Sequence, residues 1–321
     1  MTNKEKYHEL CSTEPTIPIF SKDWWLDTVC GEDNWDVVLL EKGGQIVASW
    51  PYYLKKKYGC TIISMPKLTQ TMGIWIRYPA GQKYATKLGY EKDVFNEMIA
   101  QLPNVDHFSQ NFHYSVTNWL PFYWQGFQQT TRYTYVIEDL TDLDNVYSNF
   151  QSNIKTDIKK AQKSIRCNSD HDIHKFYNIN RMTFQRQNMQ IPYEAEFLYH
   201  LHDKCYANNC QKIFYAYDEH DRIHAAIYLV WDEQSAYYLM GGGHPELRSS
   251  GATSLIMWEA IQHAATVTKR FDFEGSMIEP IERFFRAFGA VQTPYNSINR
   301  STKKIRAYMA AKNIARTLLK R

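Results

Sequence analysis

The sequence contains no apolar run of the roughly 18 residues that a membrane-crossing helix needs. The uncharged stretch from His107 to Thr131 comes nearest, but Gln110, Asn111, His113, Asn118 and Pro121 interrupt it with groups that lipid could not satisfy. The opening MTNKEKYHEL lacks the apolar block of a secretory signal, so the chain reads as cytoplasmic and without membrane insertion. None of the six cysteines forms a CxxC pair, which excludes a disulfide framework and a zinc knuckle. Cys205 and Cys210, with His200 and His202, are spaced wrongly for one helix face, and no metal is expected. Neither GxxxxGK nor GxGxxG occurs, and no repeat is found. Acidic residues are missing from Arg300 to Arg321, where eight Lys or Arg stand. The net charge of +3 therefore hides a mildly acidic body and a basic end.

What is present is ordinary globular composition, 44% hydrophobic and 22% charged, over 321 residues, a length that suggests two domains. Residues 1–140 read as an α+β unit. A short helix in SKDWWLDTVCG is followed by a hairpin around Lys42-Gly43-Gly44, further strands, a helix near Asp93–Gln101 and a β-rich close. Residues 141–321 open on an apolar stripe, Leu143, Val146, Phe150, Ile154, Ile158, Ala161 and Ile165, which predicts one helix of more than 20 residues. Thr141 and Asp144 look like its capping box. Two helices, three strands in quick order, a helix from about Ser250, the strand RFDFEG, the helix IERFFRAFG, another strand and a basic closing helix follow.

Chemistry concentrates in YYLMGGGHPELRSSGATS. A strand runs through Met240, Gly241 and Gly242 into a turn, and Arg248, Gly251, Ala252 and Thr253 open a helix. Glycine admits close approach, a helix N-terminus presents unpaired N–H groups, and Arg248 adds charge, so the segment outlines an anion site as well as an ordinary capped helix. In FDFEGS, the alternation of Phe271 and Phe273 with Asp272 and Glu274 makes one strand face apolar and the other acidic. Glu274 is the candidate proton acceptor, and Tyr238 and His244 are weaker candidates for proton transfer. Lys155, Lys159 and Lys163, four residues apart, form a basic row. Lys312, Arg316 and Lys320 form another, opposite Ala307, Ala310, Ala311, Ile314 and Leu318. Such rows could grip tRNA phosphates; DNA is not expected, and base stacking lacks its aromatics.

The strand, the Arg-x-x-Gly-x spacing of Arg248 and Gly251, and the helix start resemble the acyl-CoA pyrophosphate motif of the GNAT acyltransferases, with Thr253 where that family has Gly or Ala. NIKTDIKKAQK (153–163) and FDFEGSMIEPIERFFRAFGA (271–290) resemble the FemAB-like branch. The resemblance implies two GNAT-like domains in tandem, an acceptor side in 1–140 and a donor side in 141–321. It also implies transfer of an acyl group from acetyl-CoA or another acyl-CoA to an amine of a small molecule or cell-envelope precursor. The alternatives are an aminoacyl-tRNA donor acting on a peptidoglycan or polysaccharide precursor, and a non-catalytic nucleotide- or precursor-binding module. On the acceptor side Tyr52, Gln70, Gln110 and Asn111 are the candidate contacts.

Overall fold

The computed structural model describes residues 1–57, 59–275 and 277–308. In chain order the first half forms α1 (Asn3–Thr13), α2 (Asp23–Cys30), β1 (Trp35–Lys42), β2 (Gln45–Lys57), β3 (Cys60–Ser64), β4 (Trp75–Ile76), α3 (Tyr84–Gln101), β5 (His107–Asn111), α4 (Leu120–Trp124) and β6 (Gln128–Ile137). The second forms α5 (Leu143–Ser148), α6 (Ser152–Ala161), β7 (Arg166–Asp170), α7 (Ile173–Arg186), α8 (Ala195–Ala207), β8 (Gln211–Tyr217), β9 (Ile223–Trp231), β10 (Ser235–Gly243), α9 (Ala252–Val267), β11 (Arg270–Asp272), α10 (Glu279–Arg286) and β12 (Val291–Ser301). Among the described residues no helix is long and apolar enough to cross a membrane, and all six cysteines are free thiols.

Two compact units result. One comprises Met1–Arg132 and the segment from Pro294, the other Tyr133–Thr293. In the first, β1, β2 and β3 run antiparallel, β3 pairs parallel with β5, and β12 closes antiparallel on β5. In the second, β7, β8, β9 and β10 run antiparallel, β10 pairs parallel with β11, and β6 closes antiparallel on β11. The two sets of strands thus share one plan, and each takes its closing strand from the other half of the chain. A linear division at residue 140 and these units differ for that reason: β12 covers the first core with Ile298, and the end of β6 covers the second with Tyr135 and Ile137.

The first core is aromatic. Trp50 is fully buried, with Phe108, Phe112 and Phe122 edge-on around it at 5.6 to 5.8 Å, a geometry that suits the ring quadrupoles. The second core is built by α5, α6, α9 and α10 on one face of its sheet, where Ile154, Ile158, Leu255, Ile261, Phe271, Phe273 and Phe285 meet.

Several local readings change. The predicted helix from Leu143 is two helices and a strand. Phe150 leaves helical register to pack edge-on against Trp258 and Phe288, and the Gln151 amide donates to the Ala287 carbonyl. Lys163 consequently lies beyond the helix end, and Arg166 begins β7. The cap of α5 is Asp142, whose carboxylate accepts from the Asn145 amide, rather than Thr141. Helix α1 carries its start signal in the sequence, where Thr2 and Glu5 form a reciprocal capping box. The basic row Lys312, Arg316 and Lys320, and Ala310, Ala311, Ile314 and Leu318 opposite it, lie outside the described residues.

Candidate functional site

The candidate site grows from the place where two parallel strands part. β10 pairs with β11 only through Ser235–Arg270, Ala236–Phe271 and Tyr237–Asp272. β11 then ends, while β10 continues to Gly243 along β9, with its register shifted by a bulge between Tyr238 and Met240. Past Tyr237 the far edge of β10 therefore has no strand partner among the described residues. A sheet edge so opened offers main-chain hydrogen bonds to a ligand.

Two carboxylates stand at the fork. Asp272 is buried at 5% exposure; its Oδ1 accepts from the Thr134 hydroxyl and, at 2.7 Å, from the Glu274 amide. Burial pushes its carboxyl up to about 7, partly offset by those hydrogen bonds and reinforced by the charges of Glu138 and Asp232. Glu274 turns the chain out of the strand at φ 56°, uncommon for a residue with a side chain. Burial, then the neighbouring Asp272 charge, raises its carboxyl well above the usual range. Gly275 follows at φ 64°, and a Cβ there would stand 2.2 Å from the Tyr133 carbonyl oxygen, so only glycine lets this loop lie against β6.

Tyr238 and Gly241 meet across the bulge: the Tyr238 hydroxyl occupies the space beside the missing Gly241 side chain. Its ring lies edge-on to Phe285, and burial raises its phenol to about 12, so it remains protonated. Met240 is buried with its sulfur 3.1 Å from the Tyr193 hydroxyl. Gly242 packs on α7, where a Cβ would lie 2.7 Å from Asn180 backbone atoms. His244 is partly exposed and closes a turn, its Nδ1 accepting from the Glu246 amide.

The helix start after the glycines is less open than its sequence suggests. Gly251 is left-handed at φ 80°, and its vacant side faces the Asp157 carbonyl oxygen at 2.4 Å from where a Cβ would sit. The Ala252 amide donates to Ser250 Oγ, and the amides of Ser254 and Leu255 reach the Gly251 carbonyl. Ala252 is buried and the Thr253 side chain exposed. Glycine here serves the close packing of α6 on α9, which a phosphate cradle would need vacant. Arg248 is exposed; burial, then the Arg248 charge, lowers the affinity of Arg186 for its proton, so the two cations feel each other. Lys160 donates to the Ser249 carbonyl at 2.5 Å and Lys155 to the Ser148 carbonyl at 2.6 Å, while Lys159 and Lys163 are exposed.

Beside the fork a cavity of about 260 Å³ is lined by Tyr133, Tyr135, Met277, Glu279, Glu282 and Gln292. Tyr135 donates to Glu282 at 2.5 Å and accepts from Gln292, and Arg286 donates to the same carboxylate. No sequence pattern announced this group, because its members come from β6, α10 and β12. The first-unit candidates are committed to partners within the fold. Tyr52 is buried and its hydroxyl faces Asp36 at 3.4 Å; Gln110 is fully buried between the Trp50 indole and the Pro51 carbonyl; Asn111 donates to the Gln70 carbonyl and Gln70 to the Tyr295 hydroxyl. Among the described residues no cluster of three His, Cys, Asp or Glu could hold a metal ion.

Comparison with known proteins follows the same outline. Residues 148–279 match the family described as acetyltransferase (GNAT) domain. No curated protein matches the sequence. Among solved structures, FemX is similar at a TM-score of 0.67 with 10% identity, covering 92% of this chain and 96% of that one. The C-terminal domain assigned to a lysylphosphatidylglycerol synthetase of Agrobacterium fabrum gives 0.56 at 12%, covering 97% of each chain. A tandem GNAT protein from the clavulanic acid biosynthesis pathway gives 0.51 at 9%, covering 92% and 94%. At such identities the likeness is one of fold. With the domain match, residues 148–279 are similar to a GNAT acetyltransferase domain, and the chain shares its fold with FemX and a tandem GNAT protein.

Proposed function

We propose that the protein transfers an acyl group, in the favoured case an aminoacyl group from aminoacyl-tRNA, to the primary amine of a cell-envelope precursor. The observation that carries the reading is the pair of carboxylates where β10 and β11 part, Asp272 buried and Glu274 half-buried. An acceptor amine must reach the donor carbonyl unprotonated. Glu274, held basic by burial and by Asp272, takes the proton as nitrogen bonds to the carbonyl carbon. The ester bond to the departing oxygen then breaks, and in this reading the Tyr238 phenol returns a proton to it. Two neighbouring carboxyls that both hold their protons more tightly than usual suit this exchange better than two freely ionised ones. The tyrosine- and glutamate-lined cavity is complementary to an ammonium group.

Acyl-CoA is the donor that a GNAT domain implies in general. Two observations rank the tRNA ester above it: α6 fills the space beside Gly251, and most first-turn amides of α9 already have partners. The neighbouring Arg186 and Arg248 suit a phosphate of either donor. We place the protein in the cytoplasm, where both donors occur.

Calorimetry with coenzyme A and with bulk aminoacyl-tRNA separates the donors. tRNA binding that weakens steeply with salt, without coenzyme A binding, is the expected result. Tight, salt-resistant coenzyme A binding sinks the tRNA reading, and binding without turnover by either donor favours a binding module. For Glu274→Gln, transfer is expected to fall by about 100-fold or more, and unchanged turnover would remove its assigned role.

A further inference from the structure

Helix α7 contains a residue that its own pattern argues against. Ile173, Phe176 and Ile179 form its buried stripe, and Asn180, four residues after Phe176, is buried on the same side at 3% exposure. Leucine would favour both helix and burial at such a position, and an asparagine there must have every polar atom satisfied. Both ends of its amide are bonded. Nδ2 donates to the Gly241 carbonyl at 2.8 Å, and Oδ1 accepts from the buried Tyr193 hydroxyl at 2.7 Å, which also lies 3.1 Å from Met240 Sδ. One turn on, Thr183 Oγ1 accepts from the Gly243 amide at 3.2 Å.

These contacts fall on the length of β10 that is paired with β9 on one edge and lacks β11 on the other. A strand residue directs its amide and carbonyl to the same edge, so a side chain that holds the Gly241 carbonyl also fixes the direction of the Gly241 N–H. β10 past Tyr237 lacks β11, and its residues 241–243 are glycines, which by themselves hold a backbone direction weakly. Gly242 presses on the Asn180 backbone, which sets the height of α7 over the strand. We propose that Asn180, oriented by Tyr193, is a positioning residue that holds the Gly241 peptide at the open edge of β10, so that its N–H faces the carbonyl oxygen of the bound acyl donor. This rests on the acyl-transfer reading above. Neither residue touches the reacting atoms; they act through the main chain, as preorganised donors require.

Asn180→Leu and Tyr193→Phe test it in the full chain, by two readouts. Hydrogen exchange followed by mass spectrometry is expected to show the peptide spanning 240–244 exchanging at least about 10-fold faster in both variants, with α9 and β8 unchanged. Equal exchange would overturn the clamp whatever the enzyme's substrate. Transfer from acetyl-CoA and from bulk aminoacyl-tRNA is read with ethanolamine as probe acceptor. In Asn180→Leu, kcat is expected to fall by about 10-fold or more, with KM for the amine within about twofold and the pH profile retained. A merely structural residue would lower the folded fraction and leave kcat per folded molecule intact, and that result overturns the positioning role. Wild-type protein without transfer from either donor overturns the acyl-transfer reading and the positioning role with it, while the exchange data still decide whether the clamp exists.

Discussion

Asp272 shows how one side chain can tie pH to both stability and activity. Its carboxyl is raised from an ordinary 3.8 to about 7 in the folded chain, so between those values the folded state binds more protons than the unfolded one. Stability must then fall as pH rises through that window, by up to about 4 kcal/mol for a shift of this size. Urea unfolding of the wild type and of Asp272→Asn between pH 4 and 8 is expected to show the decline in the first and a shallower one in the second. Parallel profiles would mean that the carboxyl is not desolvated. Activity should move the other way, rising with pH as the raised carboxyls lose their protons. Gln110 illustrates the opposite case, a polar residue that works for the fold. Its Oε1 accepts from the Trp50 indole at 2.6 Å inside the aromatic core. Gln110→Ala should cost about 2 kcal/mol in chemical unfolding and leave KM for the acceptor unchanged; a KM effect without lost stability would return it to the substrate site.

At the scale of elements, what could be read from the chain was whatever local periodicity controls. The stripe Ile154, Ile158 and Ala161 marked α6, the Lys42-Gly43-Gly44 turn marked the β1–β2 hairpin, and Gly289 marked the end of α10. Phe150 followed the same period and misled, because a tertiary aromatic contact, invisible in sequence, draws it out of the helix. The same limit applies to the site. Asp272 and Glu274 were visible through strand alternation, whereas Asn180 and Tyr193 were not, since their value lies in a strand some 60 residues away. Gly251 is legible as a helix-start glycine that suits a ligand or a cap, and the structure sets it against α6. Gly251→Ala therefore brings a Cβ onto the Asp157 carbonyl in a left-handed backbone, and about 2 kcal/mol or more should be lost. Thermal unfolding checks this, and an unaffected melting temperature would restore the idea of an open cradle.

For the whole molecule, the exchange of closing strands decides what can fold alone. The fragment 133–293 carries β6 from Tyr133 to Ile137, all of β7 to β11, and the second core with α5, α6, α9 and α10. The fragment 141–321, cut where composition and helix signals change, loses Tyr135 and Ile137 from that core and leaves the β11 edge without its antiparallel partner. It also carries β12, whose Ile298 belongs to the first core and would meet water. An uncovered strand edge and an orphaned apolar strand both promote association. The expected outcome is that 133–293 is monomeric with a cooperative thermal transition, and that 141–321 is less stable and aggregates; calorimetry and analytical ultracentrifugation of the pair measure both. If 141–321 proved the better behaved, the closing strands would have to be exchangeable rather than specific. Their side chains argue for specificity, because the buried Tyr135 donates to Glu282 and accepts from Gln292 while the buried Tyr295 accepts from Gln70 and Arg132, and a shifted strand would leave both hydroxyls without these partners.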